Sequence, residues 1–316
     1  MKKIVALFVI VVFLFGYIYN RPLEKPTYTF YHWTSSYKVD VNESHPPRYI
    51  KVLDIAYNSS FAFKKTSFQT LPLHEIVPVI YMDNSVWKKM KSSTMVRKVL
   101  DALNKMPLKN YNEIQVDCDW TERSKKSYFK FLKLLKEQSV KKISATIRLH
   151  QVKYHKKTGV PPVDYGVLMY YNMSDFKDIE TKNYILDLEL AKQYHYNFDS
   201  YPLALNLALP LYSQATIIRF SKVVGLMDGV REEELDSHFK KLKEHLYVVE
   251  KTHYFKERLF YKGDKVRVDE VSIKMLQEAI DALKSVMKKP KEVIFYRWGN
   301  REYYEREKLK SVVGSW

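Results

Sequence analysis

Residues 113–122 read Glu113-Ile114-Gln115-Val116-Asp117-Cys118-Asp119-Trp120-Thr121-Glu122 and alternate with a period of two. In a strand this places Gln115, Asp117, Asp119 and Thr121 on one face and Ile114, Val116, Cys118 and Trp120 on the other. The apolar face has to be covered by helices, so the acidic face is expected to point into a barrel. Two carboxylates at i and i+2 stand roughly 6–7 Å apart, two strand rises, and in a low-dielectric interior they titrate as a coupled pair. Such a pair signals chemistry. Its other reading is Asp117 held by a buried Arg148 or lysine as inert filling, because buried charges need partners in either case.

On both sides of this stretch, β-rich runs alternate with amphipathic ones. Strands are expected at 27–33, 49–57, 76–82, 113–120, 142–150, 167–171, 203–209 and 292–298, and helical patterns at 96–106, 125–138, 183–194, 232–246 and 272–287. The alternation indicates an α/β fold with a parallel sheet, and eight strands suit a closed (β/α)8 TIM barrel. No repeat or low-complexity linker divides residues 24–316, which are expected to form one barrel with an insertion at about 230–270. There Tyr247-Val248-Val249, Arg258-Leu259-Phe260-Tyr261 and Val266-Arg267-Val268 read as a small hairpin segment before the last helix.

Composition narrows the partners. With 316 residues, 46% of them hydrophobic, the chain is no disordered polar polymer. A net charge of +17 favours anions: nucleic acid, anionic lipid or an acidic polymer. The single cysteine, Cys118, excludes an intramolecular disulfide and argues against a thiolate metal centre, and is most simply a small buried hydrophobe. Eight glycines argue against Gly-rich phosphate loops. The nine histidines show no H-E-x-x-H or H-x-H spacing, so no metal and no cofactor is expected. The lysines of 123–136 surround Tyr128, Phe129, Leu132 and Leu135, which reads as a solvated helix face; no nucleic-acid module is recognisable, and no nucleic-acid partner is expected.

Met1-Lys2-Lys3 precedes an apolar run from Ile4 to Tyr19, broken by Gly16. Residues 1–23 therefore read as a signal peptide or signal anchor. The anchor is favoured because no small-x-small cleavage pattern follows. The expected location is extracytoplasmic: secreted, periplasmic, or held at the membrane by this segment.

In a barrel the chemistry belongs at the C-terminal strand ends. Strand six runs Gly166-Val167-Leu168-Met169-Tyr170-Tyr171-Asn172, and strand seven ends Ala208-Leu209-Pro210-Leu211-Tyr212-Ser213-Gln214; each finishes with an aromatic hydroxyl beside an amide. Ser144, Thr146, Arg148 and His150 share inward parity on strand five, so Arg148 is a candidate to neutralise Asp117 or bind a substrate hydroxyl. Asp83, closing strand three, is a candidate second carboxylate or, equally, a cap in Met82-Asp83-Asn84-Ser85. The supply of aromatics, 25 Tyr and 16 Phe, suits sugar rings, whose C–H faces stack on aromatic rings. Trp33, Tyr171, Tyr212 and Trp298 are the expected cleft residues.

These strand ends resemble family 18 glycoside hydrolases, the chitinase and endo-N-acetylglucosaminidase barrels. Asp117-Cys118-Asp119-Trp120 is similar to the middle of D-x-x-D-x-D-x-E, Met169-Tyr170-Tyr171-Asn172 to M-x-Y-D, and the strand-seven ending to G-x-P-x-Y-G-R. Trp298 is similar to the family's sugar-platform tryptophan. The resemblance implies catalysis in which the motif's glutamate protonates the glycosidic oxygen while the neighbouring aspartate orients the substrate's acetamido group. The departures fall on that step: Thr121 stands at the glutamate and Ile114 at the first aspartate, Asn172 replaces an aspartate, Ser213-Gln214 replace Gly-Arg, and the strand-three S-x-G-G is absent. Glu122 reaches the acid's place only through a bulge after Asp119. Otherwise Asp119, its proton affinity raised by Asp117, is the candidate acid. Two functions follow: a tethered glycoside-hydrolase-like barrel acting on or binding an oligosaccharide or polysaccharide, anionic glycans included, or a catalytically inactive carbohydrate-binding barrel of lectin or scaffold type.

Overall fold

The computed structural model describes residues 25–109 and 111–316. The expected leader, 1–23, lies outside them, and among the described residues no helix is long and apolar enough to cross a membrane. Eight parallel strands form the barrel: β1 (Thr27–His32), β2 (Tyr49–Asn58), β3 (Val77–Met82), β4 (Glu113–Asp117), β5 (Lys142–Arg148), β6 (Tyr165–Met169), β7 (Leu205–Pro210) and β8 (Glu292–Tyr296). Each pairs with its sequence neighbours, and β1 closes the ring by pairing Thr27–Phe30 with Glu292–Phe295 of β8. On its other side β1 meets β2 through Tyr31↔Tyr49 and His32↔Ile50, a short seam. The upper half of β2 folds back instead on an antiparallel strand, Ser60–Lys65.

The helices covering the ring are α1 (Ser92–Asn104), α2 (Lys125–Ser139), two short ones, α3 (Leu149–Lys153) and α4 (His155–Thr158), then α5 (Leu188–Lys192), α6 (Ile273–Lys284) and α7 (Arg306–Gly314). The helical periodicity does what it must: Met95, Val96, Val99 and Leu103 of α1, and Leu276, Ile280 and Leu283 of α6, are buried against the outward strand residues Val116, Ile143 and Val293 in one large core. Each such side chain contributes about 1.5–3 kcal/mol when fully buried. Ser272 starts α6 by accepting the Met275 amide at 3.2 Å. Inside the ring lies a second core of Tyr31, Tyr49, Val77, Val79, Val167, Tyr171, Ala208 and Ile294. The single-residue parity of the strands separates the two.

The expected hairpin is one part of a larger insertion between β7 and α6. Its strands run Gln214–Arg219, Lys222–Asp228, Phe239–Lys243, Leu246–Val249 and Lys265–Asp269 and form a five-stranded antiparallel sheet, with a small hairpin, His253–Phe255 and Arg258–Phe260, beside it. Phe239, Phe255, Phe260, Val266 and Val268 make its own core. The helix expected at 232–246 does not form. Leu235, Phe239, Leu242 and Leu246 do have helical spacing, but 239–243 pairs with 246–249 across a turn in which His245 takes φ 60°. Cross-strand burial of Phe239 and Val249 outweighs a weak helical pattern whose Leu242 stays half exposed. The helix expected at 183–194 shrinks to α5, because Asn183 ties the preceding chain to the insertion by donating to Glu270 O at 2.8 Å.

Candidate functional site

Strand β4 feeds three polar side chains into the barrel, one per layer. Lowest is buried Glu113, accepting from Ser144 Oγ at 2.8 Å and from the Tyr165 hydroxyl. Across the barrel floor Glu292 takes the Arg48 guanidinium at 3.0 Å and the Tyr49 hydroxyl at 2.9 Å. Gln115 forms the middle layer and accepts from Tyr31 OH at 2.7 Å. Asp117 is the top layer, level with Tyr81 of β3, and accepts from Thr146 Oγ1 at 2.6 Å. Inward parity for Gln115, Asp117, Ser144 and Thr146 thus matches the alternation in the sequence.

Burial pushes the Asp117 carboxyl up to about 6; the Thr146 hydroxyl opposes that shift, the nearby Asp119 adds to it, and Arg148 and Lys51 pull it down. Because this folded value lies above the unfolded value of about 4, Asp117 stabilises the fold at low pH, and that contribution is lost as pH rises through about 6. Asp117→Asn, which mimics the protonated form, is therefore expected to be more stable than the parent by up to about 3 kcal/mol at pH 8. Urea denaturation should show the gap closing by about pH 4; a gap independent of pH would refute the assignment.

Past the end of β4 the chain changes character. Asp119 is half exposed and is paired with the Arg148 guanidinium, which leaves Asp117 as the buried acid of the two. Burial raises the Asp119 proton affinity, and the Arg148 charge and hydrogen bond oppose it. Thr121 is exposed at the rim, accepting from Asn84 Nδ2 at 3.4 Å, while its amide donates to Ser124 Oγ at 2.9 Å at the start of α2. β4 ends at Asp117, before the point where a bulge would turn Glu122 inward. Trp120 keeps its outward place, stacked on Tyr128 at 5.4 Å, and Glu122 is exposed in a hollow shared with Asn84, Lys88, Thr121 and Arg123. Asp83 is the cap of the turn Asn84–Lys88, accepting Ser85 N at 2.8 Å.

Above Asp117 the mouth of the barrel is aromatic. Tyr296 is its centre: it stacks on Tyr171 at 5.2 Å with planes 12° apart, and meets Tyr212 edge-on at 5.6 Å and Trp33 at 5.5 Å. The Tyr212 hydroxyl donates to Asn172 Oδ1, and Asn172 holds a left-handed φ of 56° while its amide bonds Ile185 O at 2.8 Å. Lys51, a buried interior lysine, lies over the Trp33 ring at 5.3 Å and pairs with Asp54 at 3.0 Å. The insertion contributes Asp228, paired with Arg297 just beyond β8. The structure thus brings Trp33, Asp117, Asp119, Arg148, Tyr171, Asn172 and Tyr212 around one mouth.

Trp298 does not join them. It is buried on the outer side of β1, 5.3 Å from Phe30 and beneath the Arg301 guanidinium at 3.5 Å, because the chain turns into a 3-10 segment, Trp298–Tyr303, straight after β8. Tyr296, two residues earlier, fills the cleft position; the sequence signal for it was inward parity on β8 with Ile294. Among the described residues, the group of His and acidic side chains whose ligand atoms converge is Asp236, His238 and His253, on the insertion and outside the cleft.

No protein-family model matches the chain, and no curated protein matches it by sequence. Solved structures do match its fold. The spore cortex-lytic enzyme SleL of Bacillus cereus is similar at 12% identity and a TM-score of 0.53, over 93% of this chain and 76% of that one. A chitinase from Chromobacterium violaceum gives 10% and 0.52, over 92% and 98%. The Ostrinia furnacalis Group IV chitinase gives 11% and 0.50, over 91% and 99%. At such identities the likeness is one of fold. The resemblance read from the strand-end motifs therefore extends to the barrel as a whole.

Proposed function

We propose that this chain is a carbohydrate-binding barrel on a glycoside-hydrolase frame, holding a glycan in the aromatic mouth without the family's acid step. The observation that carries this is the state of the carboxylates: Thr121 stands at the acid's position, Glu122 is exposed in the turn beyond the end of β4, and Asp119 is engaged by Arg148. The partly exposed rings of Trp33 and Tyr296, backed by the buried rings of Tyr171 and Tyr212, offer apolar faces for sugar C–H groups, and the exposed Asn172 offers a partner for hydroxyl or amide groups. The neighbours named as chitinases support a polymer of N-acetylated sugars as the ligand class. The overall charge of +17 supports anionic variants of such a polymer. The leader at 1–23 supports display outside the cytoplasm, secreted, periplasmic or tethered at the membrane.

A glycan-array screen followed by titration tests this reading. Chitooligosaccharides or a related acidic glycan should bind without being cleaved, and Tyr296→Ala should weaken binding tenfold or more, about 1.4 kcal/mol. A chain that binds no glycan sinks the proposal. A second reading, slow hydrolysis with Asp117 as the acid, is favoured by its carboxyl lying at about 6. Product release that disappears in Asp117→Asn would select it.

A further inference from the structure

We infer that the insertion carries a divalent-cation site of the zinc type formed by Asp236, His238 and His253. One ligand atom of each converges within 4.8 Å of the others. Asp236 and His238 flank one residue just before the strand Phe239–Lys243, and His253 opens the hairpin His253–Phe255.

The argument turns on His253. Its Nδ1 lies 2.8 Å from Lys251 O, and a carbonyl can only accept, so Nδ1 carries a proton, and in the neutral ring it is Nε2 that presents its lone pair. That Nε2 is buried, on a side chain only 10% exposed, and has no hydrogen-bond partner. It faces Asp236 Oδ2 across 3.5 Å. A nitrogen lone pair and a carboxylate oxygen this close in a shielded place repel unless a positive species, a metal ion or a proton on Nε2, lies between them. On the other carboxylate oxygen, His238 Nδ1 is 3.0 Å from Asp236 Oδ1, which also accepts the His238 amide at 2.9 Å. Zinc bonds of about 2.0–2.2 Å in a tetrahedron put neighbouring ligand atoms about 3.4 Å apart, close to the 3.5 Å between His253 Nε2 and Asp236 Oδ2, while His238 stands at the other carboxylate oxygen.

The two imidazoles are stacked, 4.3 Å between centroids and 21° between planes. A shared metal must lie near both ring planes, so binding requires the His238 ring to turn and pass its Nδ1 proton to Nε2 or to solvent. With a side chain 38% exposed, His238 has room to do so, while His253 stays fixed by Lys251 O. Three protein ligands leave one tetrahedral position for water. The ion would tie the turn before an edge strand to the hairpin whose Phe255 and Phe260 pack on Phe239, joining segments that chain connectivity leaves separate.

The test is calorimetric titration of chelator-treated full-length chain with Zn2+, with Co2+ absorption as the geometric probe. One Zn2+ per chain, a tetrahedral Co2+ spectrum and a melting temperature that rises with metal concentration are expected. Asp236→Asn and His238→Ala alter exposed or half-exposed groups, so they should fold, as circular dichroism can check, and each should weaken binding by tenfold or more. His253→Gln should abolish it. Absence of stoichiometric binding, or equal binding in the Asp236→Asn and His238→Ala chains, would overturn the site. Glycan binding to the metal-free chain is measured alongside and is expected to be unchanged.

Discussion

Thr121→Glu is expected to give this barrel measurable hydrolase activity if it binds glycan as proposed. Thr121 stands where the resembled motif has its acid, exposed at the rim past the end of β4, with Asp117 buried below and Asp119 two residues before it. A threonine hydroxyl cannot give up a proton near neutral pH, whereas a carboxylic acid near other carboxylates can. The substitution removes two weak contacts of the hydroxyl, with Asn84 Nδ2 and with Ser124 Oγ, each at 3.4 Å, and leaves the backbone bond to Ser124 Oγ, so the fold should tolerate it within about 0.5 kcal/mol. General-acid catalysis is typically worth about 10²–10⁴ in rate. Fluorogenic chitooligosaccharide cleavage should rise by that order over the parent, and further when Arg148→Ala frees Asp119. If the variant still binds glycan but releases no product, the missing glutamate is not what separates this cleft from a hydrolase.

Arg267→Met is expected to be the most damaging single change in the insertion. Arg267 and Asp269 share one face of the strand Lys265–Asp269, both essentially fully buried, with Nε 2.9 Å from Asp269 Oδ2. The rest of the guanidinium reaches out of the sheet to Asp178 O at 2.6 Å and Phe176 O at 3.1 Å, in the chain that leads from β6 towards α5. Methionine fills much of the volume but strands a carboxylate in an apolar core and frees two carbonyls. Breaking one side of such a pair typically costs about 3–5 kcal/mol, which for a chain of this size lowers the melting temperature by about 5–8 °C. Burial already raises the Asp269 carboxyl, and Arg267 holds it down. Without the arginine the folded value climbs further above the unfolded one, so the loss should be larger at pH 8 than at pH 5. Arg267→Met with Asp269→Leu should recover most of it in urea denaturation. If the single and double variants are equally unstable, the packing of this strand matters more than the charge pair.

The barrel was legible because its strands are short apolar runs with inward parity that a wrong register would expose. β4 is the clearest case: alternation alone places Asp117 inside and Trp120 outside. Parity stops being informative where a strand stops. Trp298 shares parity with Tyr296 in the sequence, yet the turn after β8 carries it to the far side of β1, and Glu122 belongs to the turn before α2 rather than to β4. The insertion was misread at 232–246 because leucines at helical spacing outvoted a strand pattern that has meaning only beside its partners. The cluster of Asp236, His238 and His253 was invisible for the same reason: its third member arrives from another hairpin, and Asp-x-His alone is common. Tyr296 shares inward parity with Ile294, yet neither it nor Lys51 is singled out as a cleft residue until neighbouring strands bring the other rings beside it.

The ring closure of β1 onto β8 also governs how the protein is made. Thr27 and Lys291, bonded to one another at the barrel floor, are 264 residues apart. At roughly 5–20 residues per second, a ribosome needs tens of seconds after finishing β1 to deliver the strand that pairs with it. Over that interval β1 has as a barrel neighbour only the two-residue seam with β2, and Phe30 lacks the Phe295 and Trp298 rings that later cover it. The nascent chain thus carries an aromatic strand with an open edge until Glu292–Phe295 is translated, and its need for a holding chaperone should scale with elongation time rather than with the stability of the finished barrel.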